Sequence, residues 1–83
     1  MSTKLFVGSL PWSVDDGQLQ ATFETHGPVV SAKIIKDRTT GRSRGFGFVE
    51  MESSSDAQNA IKALNESELS GRNITVNEAK ERN

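Results

Sequence analysis

Arg44-Gly45-Phe46-Gly47-Phe48-Val49-Glu50-Met51 is a stretch whose alternate positions obey different rules. In an extended strand successive side chains point to opposite faces. Arg44, Phe46, Phe48 and Glu50 then share one face, and Val49 and Met51 lie on the other. Val49 and Met51 are the apolar pair a core requires, so the two phenylalanine rings fall on the charged side. The flipped assignment would put the rings in the core, bury Arg44 and Glu50 and expose Val49 and Met51. The stretch predicts a strand that turns a large apolar surface outward, and such a surface usually marks a binding site.

Working outward, Asp37-Arg38-Thr39-Thr40-Gly41-Arg42-Ser43 is polar, contains glycine and has no apolar residue. It reads as a hairpin loop that joins the octapeptide to a strand over Val29–Lys36. In that strand Val30, Ala32 and Ile34 are expected on one face, with Lys33 and Ile35 on the other. Before it, Leu19 and Phe23 stand four apart on one helix face, over 15–23. Asp15 with Gln18 has the spacing of a capping box, and Ser13 with Asp16 is a rival cap. Gly17 weakens this helix by about 1 kcal/mol relative to alanine; Gly27, followed by Pro28, is its expected stop. Residues 4–9 read as the first strand, ended by Pro11.

Beyond the octapeptide, Ser53 is placed to cap a second helix with Asp56 in its third position, and Ala57, Ala60, Ile61 and Leu64 form its buried stripe. A loop over 65–72, with Leu69 tucked beneath it, leads to a last strand over 73–78. There Ile74 and Val76 face inward, and Asn73, Thr75 and Asn77 outward. The charged tail from Ala79 to Asn83 is expected to fray. The order strand, helix, strand, strand, helix, strand predicts an α+β, ferredoxin-like βαββαβ domain. Its four-stranded antiparallel sheet would carry both helices on one face. The right-handed crossover rule puts the first and third strands side by side in the middle.

The chain has 83 residues and a net charge of −1. That length predicts a single domain over residues 1–83, with its core at about 4–80. The absence of cysteine removes disulfides, thiolate metal sites and a cysteine nucleophile together, and it suits a reducing, intracellular compartment. No apolar run is long enough to span a membrane, and MSTKLFVGSL does not read as a secretory signal. Net charge alone argues weakly against a polyanionic partner, but the charges are unevenly placed. Lys4, Lys33, Lys36, Arg38, Arg42, Arg44, Lys80 and Arg82 fall on the platform side, its hairpin loop and the tail, outnumbering Asp37, Glu50, Glu52, Glu78 and Glu81 there. The helices and their loops are acidic, with Asp15, Asp16, Glu24, Asp56, Glu66 and Glu68 against Lys62 and Arg72. A chain polarised in this way can attract a polyanion while nearly neutral.

On the first strand Leu5 and Val7 must face the helices, so Lys4, Phe6 and Gly8 face outward. Phe6, Phe46 and Phe48 are therefore expected to cluster on one open sheet surface. Every base has a π-face, and stacking on such rings is worth ~1–3 kcal/mol per base. Lys33, Asn73, Thr75 and Asn77 on the same face can read base edges or be plain surface residues. Gly45 and Gly47 are expected to leave room on the helix-facing side. Trp12 can stack a base, but the reading preferred from sequence is that it anchors its loop across the end of the core. His26, with no second histidine or cysteine, reads as a packed or capping residue and gives no metal site. Gly45-x-Gly47 lacks the third glycine and the following helix of a dinucleotide loop, there is no Gly-Lys-Ser/Thr phosphate loop, and Gly8–Trp12 has no arginine for an acylphosphatase-like centre. No enzyme, metal or cofactor is expected.

The octapeptide resembles the octamer motif of the RNA-recognition motif family, Lys/Arg-Gly-Phe/Tyr-Gly/Ala-Phe-Val-x-Phe/Tyr. Arg44 through Val49 fit, and Met51 departs from the aromatic. Leu5-Phe6-Val7-Gly8-Ser9-Leu10 resembles the family's second motif, with Ser9 where asparagine is commoner. The match spans Lys4 to about Lys80. Stretches 37–49 and 71–79 look like the domain of plant glycine-rich RNA-binding proteins and of small bacterial single-domain RNA-binding proteins. The plant type carries a glycine-rich tail beyond this domain, so a chain stopping at Asn83 is either tail-less or cut at the boundary. Glu66 stands where the family often has glycine after asparagine.

The resemblance implies stacking on Phe6 and Phe48 and a sugar contact at Phe46. It implies single-stranded RNA as ligand, with single-stranded DNA as a further one. Together these readings give an RNA-binding set of Phe6, Phe46, Phe48, Arg44, Lys4, Lys33, Arg42, Asn77 and Lys80. The expected role is a monomeric post-transcriptional regulator or RNA chaperone; a protein-interaction module on the same fold is the alternative. The expected setting is cytoplasmic in a bacterium, nuclear or organellar in a eukaryote.

Overall fold

In the computed structural model, which describes residues 3–79, the octapeptide lies within the third of six strands. In chain order the elements are β1 (Lys4–Gly8), α1 (Asp16–Glu24), β2 (Val29–Lys36), β3 (Ser43–Met51) and α2 (Ser54–Leu64), then β4 (Glu68–Leu69), β5 (Arg72–Asn73) and β6 (Thr75–Glu78). Four of the strands form one antiparallel sheet in the order β2-β3-β1-β6, with β1 and β3 in the middle as expected. Leu5 and Val7 of β1, Val49 and Met51 of β3, and Ile74 and Val76 at β6 are buried on the helical side. Leu19 and Phe23 of α1 and Ala57 and Ala60 of α2 close that core from above. Each large apolar side chain removed from water there contributes about 1.5–3 kcal/mol.

The helix starts follow from side-chain capping. The Asp15 carboxylate accepts the Gln18 backbone N–H at 2.8 Å, so Asp15 and not Ser13 caps α1. The Gln18 side chain reaches across to the hairpin turn, where its Nε2 donates to the Ser70 hydroxyl at 2.9 Å. Ser53 caps α2 by accepting the Asp56 N–H, with Asp56 in the first turn.

Two segments differ from the simple pattern. Val30 is 57% exposed, whereas strict alternation puts it with Ala32 and Ile34. The ladder shifts register between Val29 and Ser31, the signature of a β-bulge. Val29 packs on the core in its place; regular pairing runs from Ser31 to Ile34, and the ladder shifts again between Ile34 and Lys36. The expected loop over 65–72 contains a small hairpin, Glu68 opposite Asn73 and Leu69 opposite Arg72. Ser70 (φ 52°) and Gly71 (φ 85°) form its two-residue turn with both φ values positive. Leu69 packs against the core, as expected. Asn73 belongs to this hairpin and not to the four-stranded sheet, so it does not line the platform.

Candidate nucleic-acid interface

The outer face of the sheet is built by register. Phe48 stands opposite Lys33 on β2 and opposite Phe6 on β1, and Phe6 stands opposite Asn77 on β6. Lys33, Phe48, Phe6 and Asn77 therefore form a single row across all four strands, with the two rings at its centre. Phe46 completes the cluster: ring centroids are 5.7 Å apart for Phe6–Phe46, 5.8 Å for Phe6–Phe48 and 6.3 Å for Phe46–Phe48. The last two pairs are edge-to-face, a geometry that favours aromatic pairs. This mutual contact leaves the rings half-buried, not fully bare.

Cations sit against the rings. The Lys4 ammonium lies 5.7 Å from the Phe48 centroid, and the Arg44 guanidinium 5.9 Å from that of Phe46. Both distances are within the range of cation–π attraction. Lys33 is exposed at the end of the aromatic row, and Arg42 on the β2–β3 loop. Lys80, the last of the expected set, lies outside the described residues, as do Glu81 and Arg82.

The two glycines of the octapeptide do something other than make room for helices. A Cβ at Gly47 would come 2.5 Å from the Lys33 carbonyl oxygen and 3.1 Å from the Ile34 Cα, so any side chain would push β2 off β3. Gly45 has φ +85°, a conformation that L-residues resist. It re-aims the strand so that its carbonyl accepts the Leu10 N–H at 2.8 Å. That bond fastens the β1–α1 loop to the start of the aromatic strand.

The hairpin loop is held by its own carboxylate. Asp37 accepts the Thr39 N–H at 2.7 Å and the Thr40 N–H at 3.2 Å. These bonds, and then the charge of Arg44, hold its carboxyl below the ordinary range. Trp12 is not an anchor: it is 75% exposed, while Leu10 and Val14 on either side of it fill the core. Those two apolar residues already hold the loop without the indole. Among the described residues no group of three or more metal-ligating side chains converges, and no helix is long and apolar enough to cross a membrane.

Residues 5–75 match the sequence profile of the RNA recognition motif. The chain belongs to this family. An RNA recognition motif is a binding domain, and the chain is not an enzyme. A 28 kDa chloroplastic ribonucleoprotein of Spinacia oleracea is 53% identical over 81 residues, covering 98% of this chain and 35% of the spinach protein. The mitochondrial glycine-rich RNA-binding protein 4 of Arabidopsis thaliana is 54% identical over 82 residues, covering 99% of this chain and 60% of that protein. The motif thus spans only part of the length of these curated relatives. Among solved structures, RNA binding protein PG1 superposes with a TM-score of 0.93 at 48% identity, covering 99% of both chains. A Sxl-lethal protein–RNA complex superposes with a TM-score of 0.92 at 35% identity, covering 100% of this chain and 50% of that one.

Proposed function

We propose that this RNA recognition motif binds single-stranded RNA on the outer face of its sheet. Bases stack on Phe6 and Phe48, a ribose rests on Phe46, and Asn77 offers its amide to a base edge. Lys4, Lys33, Arg42, Arg44 and Lys80 attract the phosphates. The observation that carries this reading is the row Lys33–Phe48–Phe6–Asn77, with its rings on the side away from the helices. The printed names of the relatives, and the RNA in the Sxl-lethal complex, support RNA as ligand. Single-stranded DNA, whose bases have the same π-faces, is a second ligand for the platform. The unit is a single domain over 1–83 that works as a monomer, in post-transcriptional regulation or RNA chaperoning. The chloroplastic and mitochondrial relatives favour an organelle.

Titration of labelled single-stranded RNA, read by anisotropy, tests the platform. Phe6→Ala and Phe48→Ala are each expected to weaken binding about tenfold, as loss of one stacked base requires. Their circular dichroism should match that of the parent. Unchanged affinity in the double variant would remove the sheet as the site.

A further inference from the structure

Glu50 is an acid on the very face that a polyanion would cover. The strands of the four-stranded sheet hold two acids, Glu50 and Glu78. Glu78 pairs with buried Leu5 and lies on the helical side, where the Gln58 Nε2 donates to its carboxylate at 2.9 Å. Glu50 stands two residues beyond Phe48 on β3, so it shares the face of the rings. Its cross-strand neighbours are Lys4 on β1 and Ser31 on β2. Ser31–Glu50–Lys4 is thus a second row, beside the row Lys33–Phe48–Phe6–Asn77.

The ordinary use of an acid opposite a lysine is a cross-strand ion pair. That is not what is found. Glu50 is half-buried, yet among the described residues its carboxylate makes no hydrogen bond and no ion pair. Lys4, directly across the ladder, sets its ammonium 5.7 Å from the Phe48 centroid. A carboxylate only accepts hydrogen bonds, and it repels phosphate. On this face it favours RNA binding only where a donor of the strand comes to meet it.

The donors of RNA are ribose hydroxyls and base edges. The ribose position assigned above is at Phe46, on the far side of Phe48 from Glu50, which leaves a base edge. Two residues of strand span about 6.8 Å, so the edge of a base laid on Phe48 comes within reach of a glutamate side chain. Guanine presents two parallel donors on its Watson–Crick edge, N1–H and N2–H, which match the two oxygens of a carboxylate. Adenine and cytosine present one amino group each. Uracil presents one N–H between two carbonyl oxygens, and those a carboxylate repels.

We infer that Glu50 is a specificity-determining residue: it accepts the N1–H and N2–H of a guanine stacked on Phe48 and disfavours uracil there. This rests on the reading of the sheet as an RNA platform.

Anisotropy titrations with labelled RNAs of about six nucleotides test it. One strand is all uridine, and the others carry a single guanosine, inosine, adenosine or cytidine. The parent is expected to bind the guanosine strand about tenfold more tightly than the uridine strand, as one bidentate pair requires. Inosine, which lacks the N2 amino group, should fall between them. Glu50→Gln and Glu50→Ala should bring the guanosine and uridine strands within about threefold of each other, chiefly by weakening the first. The circular dichroism of both variants should match that of the parent. A guanosine-to-uridine ratio that is the same in parent and variants would overturn the proposal. So would an equal gain on every strand in Glu50→Ala, which would make Glu50 a repulsive charge and not a reader. An equal loss on every strand would also overturn it, since a ribose contact or a prop for the sheet acts without regard to the base. The double variant Phe6→Ala, Phe48→Ala is expected to weaken all strands. If it weakens none, the platform reading fails on that result; if it weakens all while the ratio is unmoved in the Glu50 variants, this proposal alone falls.

Discussion

Glu66 has φ 64°, the left-handed conformation that glycine adopts freely and other L-residues resist at a cost of roughly 1–2 kcal/mol. Its N–H donates to the carbonyl of Ile74, the residue between β5 and β6, at 2.7 Å, and that bond holds it there. The glycine common at this position in related sequences thus has a physical reason. Glu66→Gly is expected to raise stability by about 0.5–1 kcal/mol, less than the full strain because glycine also loosens the unfolded chain. A higher urea midpoint at unchanged slope would register it. Ser9, at φ 57°, stands where asparagine is commoner, and asparagine tolerates this region better than serine does. Asp37 gives a pH prediction. Its folded pKa lies below its unfolded value, so the loop stabilisation it provides is complete above the ordinary carboxylate range and is lost as pH falls through the depressed value. A carbon-13 titration of its carboxyl should show a midpoint below that of aspartate in the unfolded chain; an ordinary midpoint would mean the Thr39 and Thr40 bonds are not held in solution. At this scale the outward placement of Phe6, Phe46 and Phe48 could be read from sequence, because a strand has a fixed period of two. Trp12 could not, because a loop has no period from which to assign a face.

The elements whose sequence carries a period are those that alternation and helical spacing locate correctly. Both helices, the pairing of β1 with β3 and the inward set Leu5, Val7, Val49 and Met51 belong to that class. Val30 escaped because a bulge is one extra residue, and two consecutive valines do not reveal where the ladder slips. The hairpin over 68–73 escaped because two-residue strands are too short to alternate, although Ser70-Gly71 is a turn signal. Gly47 was legible as a site of close packing, but the partner that needs its space is the backbone of β2, not a helix. The outer strands have their own device. Asp16, from the first turn of α1, accepts the Ile34 N–H at 2.7 Å, and Asn65 accepts the Val76 N–H at 3.0 Å. Each bond occupies a donor that would otherwise face the open side of the sheet. Asp16→Ala is therefore expected to speed hydrogen exchange at the Ile34 amide by about tenfold or more while amides of β1 and β3 keep their protection. Unchanged exchange at Ile34 would show that the carboxylate does not guard that edge.

Across the whole molecule the decisive feature is segregation. Apolar burial and the helices lie on one side of the sheet, and the rings lie on the other with Lys4, Lys33 and Arg44 beside them, a division that a net charge of −1 conceals. With few cations near the rings, RNA affinity should fall gently with salt. The slope of log K against log salt should be about −2 for three phosphates, and Lys33→Ala should make it shallower by about 0.7. A slope several times steeper would mean that charge and not stacking carries the binding. The exposure of Trp12 has a last effect on how the molecule can be watched. Its indole is already 75% open to water in the native state, and no second one exists. Intrinsic emission will barely change colour when the chain melts, so a thermal scan followed at that wavelength would look featureless while far-ultraviolet ellipticity recorded a sharp transition.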